Sequence, residues 1–124
     1  VFVLEAFEGA PGFAAGIDRG TEILSINGTS VASLMASGGA NAVSDALGPT
    51  QAGVTRTLTF RPLGGTDQTR EITKTEFSLD PVSDRYGVKL LADGAGGQVG
   101  YINLRTFIVQ DAGPQLRAAV AQFK

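Results

Sequence analysis

Residues 9–31 constrain the fold more than any other part of the chain, because most residue types there have a defined backbone role. Pro11 favours the start of a short helix, since its missing N–H falls where a helix offers no acceptor. Gly16 is suited to end that helix, because glycine adopts the left-handed conformation at low cost. Asn27 and Gly28 predict a tight turn after the β-rich run Glu22–Ile26. The segment is therefore predicted to form a helix–turn–strand unit.

Size and composition predict one domain, or one small domain with an extension. The chain has 124 residues, of which 43% are hydrophobic and 17 are glycine, which favours a β-rich α+β fold over a helical bundle. The net charge of −2, with no basic block, argues against a nucleic-acid surface. No apolar run approaches the roughly 18 residues that indicate a membrane span.

Histidine and cysteine are both absent from the chain. A Ser-His-Asp or Cys-His apparatus therefore cannot be assembled from this chain alone, and a zinc site with imidazole ligands is excluded. Asp80 and Asp84 lack a third ligand at calcium-loop spacing, so we interpret them as solvated linker residues. The sequence predicts no cofactor, no metal site and no catalytic residue.

Hydrophobic spacing predicts the other elements of the first half. Residues 1–4 are continuously apolar and are interpreted as a buried strand. A loop at residues 37–39 precedes a helix at residues 40–47, which ends at a Gly-Pro pair. Residues 55–61 and 69–77 are expected to form a hairpin with Leu58 and Phe60 on one face. Across it, an exposed ion pair is expected among Arg56, Glu71 and Lys74, with Glu71 as the acidic partner. Such an exposed contact contributes little.

The second half is predicted to contain two strands and a helix. Residues 79–82 are an extended linker, because the residue before a proline avoids the helical conformation. Strands are expected at residues 86–91 and 99–104. The glycine-rich residues between them lead into a strand rather than a helix, which favours a tight turn over a phosphate cradle. A final helix begins near residues 111–114, with one apolar stripe made by Leu116, Ala119, Val120 and Phe123.

Residues 9–31 resemble the PDZ-domain pattern, in which a Pro-Ala-x-x-Ala-Gly helix leads into a Gly-Asp-x-Ile-Leu-x-Ile-Asn-Gly strand and turn. Thr21 stands where the family usually has Asp. Its hydroxyl can bond backbone N–H groups of the turn in place of a carboxylate, more weakly, so we expect the fold to survive. The resemblance implies a PDZ-like, partly open β-barrel with two helices over residues 1–79. A linker and a strand–strand–helix extension follow over residues 80–124.

The glycine-rich strand of residues 97–107 and the helix after it resemble the entry to the protease core of carboxyl-terminal processing peptidases, also called tail-specific proteases. That resemblance implies a bacterial serine endopeptidase of the periplasm, cell envelope or exterior, acting through a Ser-Lys dyad. A lysine can serve as the base where burial lowers its pKa. The dyad is expected beyond residue 124, so the chain by itself is expected to be inactive.

The same resemblance implies that the PDZ domain binds protein C-terminal tails. Such a tail adds a strand to an exposed sheet edge beside a helix. The family's groove strand and carboxylate loop precede the residues similar to 1–3, so both are expected to be missing here. The candidate peptide-binding residues are therefore Val43 and Leu47, on the helix that borders the groove. Packing of both side chains in the core is the alternative, and the sequence favours it.

Two other functions remain open: a non-catalytic PDZ adaptor, and a self-association domain. Sequence beyond Lys124 separates adaptor from peptidase, because only the peptidase continues into a strand and a loop carrying Ser and then Lys. A sheet edge without its groove strand is unprotected. We therefore expect a homodimer, or an exchange of elements, through that edge.

Overall fold

The structure is a computed structural model that describes residues 1–124. Two units, Val1–Phe77 and Ser78–Lys124, each have their own contacts. Three helices and two antiparallel sheets make up the chain, and neither sheet closes into a barrel. None of the helices combines the length and apolar character that crossing a membrane requires. The expected mixture of helices and antiparallel strands is confirmed at this level.

The helix–turn–strand unit of residues 9–31 forms as the sequence predicts. Helix α1 spans Pro11–Ala14 with proline at its start. Strands β1 (Glu22–Ile26) and β2 (Thr29–Ser30) pair in antiparallel fashion. Between them Asn27 and Gly28 have φ of 48° and 81°. Positive φ at both central residues characterises the two-residue hairpin turn whose twist suits antiparallel strands.

Thr21 stabilises the turn before β1, as the sequence predicts. Its Oγ1 accepts a hydrogen bond from the Asp18 N–H at 3.0 Å, and its own N–H donates to the Asp18 carbonyl at 3.0 Å. The side chain is almost completely buried, with 1% exposed. A hydroxyl therefore provides the acceptor at a position where a carboxylate is usual in the pattern.

The predicted hairpin is confirmed and completes the larger sheet, although its second strand ends at Thr73 and not at residue 77. Strand β3 spans Thr55–Arg61 and β4 spans Gln68–Thr73, giving the strand order β2-β1-β3-β4. Leu58 and Phe60 both point into the core, because alternate residues of a strand share a face. The pairing of β1 with β3 shifts register within β1, after Ile23.

Helix α2 (Val31–Leu47) begins earlier than the sequence predicts. Ser30 caps its start, because the Ser30 Oγ accepts the Ser33 N–H at 3.1 Å. Gly38 and Gly39 have non-helical backbone angles, so the loop signal there marks a break inside the helix. The two glycines disfavour a continuous helix and obscure its first half in the sequence.

The core of the first unit lies between α2 and one face of the four-stranded sheet. Phe60 is its most deeply buried large side chain. The fully buried apolar residues are Ile17, Ile26, Val31, Val43, Leu58 and Phe60, and those packed against them are Val3, Ile23, Leu34, Ala46 and Ile72. These contacts fix α2 on the sheet.

The pairing predicted for Arg56 is wrong. In the β3–β4 register Arg56 lies opposite Ile72. Its guanidinium instead donates from Nε to the Ala46 carbonyl at 2.8 Å and from Nη1 to the Thr55 carbonyl at 2.8 Å. Lys74 likewise turns toward the end of α2. Unsatisfied carbonyls at a helix C-terminus attract cations more than a solvated strand partner does.

The second unit contains strands β5 (Val88–Ala92) and β6 (Gln98–Ile102) and helix α3 (Ala112–Ala121). The predicted strands and helix are thus present, with shifted ends. An added Cβ at Gly100 would lie 2.7 Å from the Phe123 ring, so glycine permits α3 to approach β6. The apolar stripe is only partly correct, because Ala119 is buried whereas Val120 is exposed.

Candidate functional site

Residues 1–4, here called the edge segment, do not form the buried strand that their sequence suggests. The Val3 N–H donates to the Thr21 carbonyl at 2.8 Å, and the Ile23 N–H donates to the Val1 carbonyl at 2.9 Å. Phe2 lies opposite Glu22 in this antiparallel bridge. The edge segment therefore adds an extended strand alongside the start of β1.

The outer side of the edge segment is open. In this bridge the hydrogen bonds flank the Phe2–Glu22 pair, so the Phe2 N–H and carbonyl point away from β1. Neither group has a hydrogen-bond partner in the chain. Outward, unpaired backbone groups such as these two are a template for another strand. An added strand could thus form main-chain hydrogen bonds with the Phe2 N–H and carbonyl.

Side chains of residues 2–4 alternate between solvent and core. Val3 packs against the core, whereas Phe2 is 64% exposed and Leu4 is 86% exposed. The continuous apolar run concealed this alternation, so sequence analysis missed Phe2 and Leu4 as surface residues. The available signal was their spacing of two residues, which places both on one face of a strand.

An ion pair ties Glu5, the residue after the edge segment, to the turn before β1. The Arg19 guanidinium contacts the Glu5 carboxylate, and both side chains are about one third exposed. Partly solvated pairs contribute little free energy. The contact nevertheless connects Glu5 to the turn that the Thr21–Asp18 bonds order. This connection favours a single orientation of the edge segment along β1.

The two predicted peptide-binding residues have different environments on α2. Val43 is 7% exposed and belongs to the core cluster, whereas Leu47 is 37% exposed at the last residue of the helix. Val43 and Val3 contribute to the same core, which links this face of α2 to the edge segment. Contact of either residue with a peptide stays a prediction.

The C-terminal end of α2 is ordered by two basic side chains. Lys74 Nζ donates to the carbonyl oxygens of Leu47 at 2.8 Å, Gly48 at 3.0 Å and Pro49 at 2.7 Å. Arg56 donates to the carbonyl of Ala46, one residue before Leu47. Positive charge at this end of a helix offsets its negative partial charge. The helix end carrying Leu47 is therefore fixed.

The glycine-rich loop between β5 and β6 is a tight turn, as the sequence predicts. Asp93 Oδ1 accepts the N–H groups of Ala95 at 2.8 Å and Gly97 at 2.9 Å. These bonds, that of Ala95 foremost, hold the pKa of the Asp93 carboxyl below its ordinary value. Because a carboxylate already occupies the loop amides, they do not offer a free phosphate cradle.

No group of three or more acidic side chains is placed to hold a metal ion, and Asp80 and Asp84 are not joined by a third ligand. Of the features described above, the open edge segment beside the α2 core is the best-supported candidate site.

No protein-family model matches the chain, and no curated protein matches it.

Proposed function

We propose that the Val1–Phe77 unit is a PDZ-like module that binds protein C-terminal tails by strand addition. The observation that carries this proposal is the outward, unpartnered Phe2 backbone on an edge whose inner face packs with α2. An added strand would accept the Phe2 N–H and donate to the Phe2 carbonyl. Main-chain bonds of this kind supply affinity in strand addition, and alternate side chains supply specificity.

The two faces of the edge favour extended tails with apolar residues. Side chains on the Val3 side of an added strand would point toward the α2 face. Those on the other side would lie beside Phe2 and Leu4, both of which offer exposed apolar surface. Cross-strand apolar pairs stabilise such a ladder. Leu47 is the proposed apolar contact at the end of α2.

We further propose that this module belongs to a carboxyl-terminal processing serine endopeptidase of a bacterial periplasm, envelope or exterior. The support is the order of the PDZ-like pattern and the block of residues 97–107, both present in one chain. Cleavage would use a Ser-Lys dyad beyond residue 124, with the module presenting or gating tails. The test is incubation of this chain with an unstructured substrate that ends in an apolar tail. Turnover sensitive to serine reagents would overturn the assignment of the dyad.

Strand addition is tested with a fluorescent, extended peptide that ends in an apolar residue and a free carboxylate. Phe2→Pro removes the outward N–H and keeps the three inner bonds made by Val1 and Val3. We expect affinity to fall by about tenfold, the factor for ~1.4 kcal/mol. Leu63→Ser is the matched control, because Leu63 is exposed in the β3–β4 turn. Unchanged binding by Phe2→Pro would contradict the proposal.

A non-catalytic adaptor and a self-association domain are the alternatives, and the same exposed edge favours the second. Two copies could pair antiparallel through Phe2, since each would provide the groups that the other lacks. Competition separates the two uses of the edge. A peptide that dissociates a dimer indicates a shared edge, whereas a dimer that binds peptide at full stoichiometry indicates separate surfaces.

A further inference from the structure

The turn between β1 and β2 contains a chemically reactive pair of residues. Asn27 is followed by Gly28, whereas Asn41 and Asn103 are followed by residues with side chains. Asn27 and Gly28 are both exposed, and an added Cβ at Gly28 would meet nothing within 4 Å. Sterically, the Gly28 backbone nitrogen is the most accessible nucleophile beside any asparagine of this chain.

We infer that Asn27 is a site of spontaneous deamidation whose rate depends on opening of the β1–β2 turn. The Gly28 nitrogen attacks Asn27 Cγ, the side-chain amide leaves as ammonia, and a succinimide ring forms. Water then opens the ring at either carbonyl, giving aspartate or isoaspartate. The net reaction consumes one water and releases one ammonia for each amide converted.

The folded turn opposes the first step. Asn27 has φ of 48°, in the left-handed region where ψ is also positive. In that conformation the Gly28 nitrogen and the Asn27 Cβ lie on opposite sides of the Cα–C bond, so the nitrogen cannot reach Cγ. Asn27 Oδ1 also accepts the Thr57 N–H at 2.9 Å, and the Asn27 N–H donates to the Thr57 carbonyl at 2.7 Å. The bond to Oδ1 must break before Cγ can turn toward the Gly28 nitrogen, and the bond of the Asn27 N–H helps to keep the turn in place.

The two products would affect the turn differently. Aspartate keeps the main chain unchanged and retains an oxygen that accepts the Thr57 N–H. Isoaspartate inserts one carbon into the main chain between the paired residues Ile26 and Thr29. A two-residue turn does not accommodate that insertion in register. Ser30, which caps α2, follows directly, so conversion to isoaspartate would also disturb the helix start.

The experiment compares deamidation of the full chain in mildly alkaline buffer with and without urea, followed by peptide mapping. In urea we expect Asn27 to react faster than Asn41 and Asn103. In the folded chain we expect the Asn27 rate to fall by at least about tenfold, which corresponds to ~1.4 kcal/mol of opening. Equal Asn27 rates with and without urea would overturn the inference that the folded turn slows the reaction. Equal rates of all three asparagines in urea would overturn the inference that Asn27 is the preferred deamidation site.

Variants distinguish local opening of the β1–β2 turn from general unfolding of the chain. Ser30→Ala removes the cap next to the turn and is expected to accelerate Asn27 deamidation in the folded chain. Thr66→Ala, in the exposed β3–β4 turn, is the control and should leave the rate unchanged. Asn27→Asp should retain the native amide spectrum, whereas the purified isoaspartate form should lose the signals of β2. A native β2 spectrum in the isoaspartate form would overturn the proposed structural consequence.

Discussion

Lys74 Nζ lies 2.8 Å from the carbonyl oxygen of Leu47, the last residue of helix α2. A residue that follows β4 therefore completes the C-terminal end of a helix far away in the sequence. Two further carbonyls, those of Gly48 and Pro49, accept from the same ammonium group. The position of Leu47, a proposed peptide contact, thus depends on Lys74 together with Arg56, which donates to the Ala46 carbonyl.

Lys74→Met should destabilise the Val1–Phe77 unit, because three helix-end carbonyls lose their charged donor. We expect a loss of about 1 kcal/mol in the free energy of unfolding, measured by urea denaturation. Lys89→Met is the control, since Lys89 is exposed on β5 in the other unit. Equal stability of both variants would show that the Lys74 contacts contribute nothing.

Gly48→Ala should be more harmful than Gly53→Ala. Both glycines have positive φ, of 75° and 87°, and Gly48 also has ψ of −176°, a combination that only glycine adopts readily. Only at Gly48 would the added Cβ meet the Arg56 guanidinium. Arg56 can move aside but then loses its bonds to Ala46 and Thr55, so the two variants should differ by at least about 1 kcal/mol. Thermal unfolding of the two variants measures that difference.

Thr21→Val should expose the Asp18 amide to solvent exchange. The substitution keeps the shape of a buried side chain but removes the oxygen that accepts the Asp18 N–H. We expect a loss of about 0.5–1.5 kcal/mol in stability, the usual net contribution of a hydrogen bond, because the Asp18 amide is only half-buried. Hydrogen exchange should show rapid exchange of this amide in Thr21→Val and retained protection in Thr21→Ser. Protection of the amide in both variants would contradict this role of Thr21.

The β5–β6 turn should weaken in acid. The backbone N–H groups of Ala95 and then Gly97 lower the pKa of Asp93 below its ordinary value of 3.8. A carboxyl whose pKa is lower in the folded state stabilises that state above the ordinary pKa, and the effect is lost as the pH falls through the folded pKa. An NMR titration should find Asp93 titrating below 3.8, with the two amide shifts following it. A titration at or above 3.8 would contradict the hydrogen-bonded turn.

The exposed edge should also produce self-association. We expect light scattering at high protein concentration to detect a dimer, because Phe2 leaves two backbone groups unpaired beside exposed apolar side chains. Phe2→Pro should shift the protein toward monomer. A clean monomer at high concentration in the unsubstituted chain would refute the prediction.

The local elements of this protein were predictable where the signal lies in neighbouring residues. Pro11 starts α1, and Asn27 with Gly28 makes the β1–β2 turn. The β3–β4 hairpin followed from alternation around Leu58 and Phe60. The start of α2 was missed, because Gly38 and Gly39 interrupt the helical spacing that precedes residue 40. Val43 and Leu47 have the same apolar character in sequence, so only their burial distinguishes them.

The sequence by itself determined the turns, because glycine, proline and asparagine restrict their own backbone angles. Only the tertiary structure decided the partners of Arg56 and Lys74 and the exposure of Phe2. Those outcomes depend on which carbonyls and which sheet edge come within reach once distant segments pack together. The physical reason is that backbone preference acts within a few residues, whereas burial and hydrogen-bond satisfaction are settled across the whole fold.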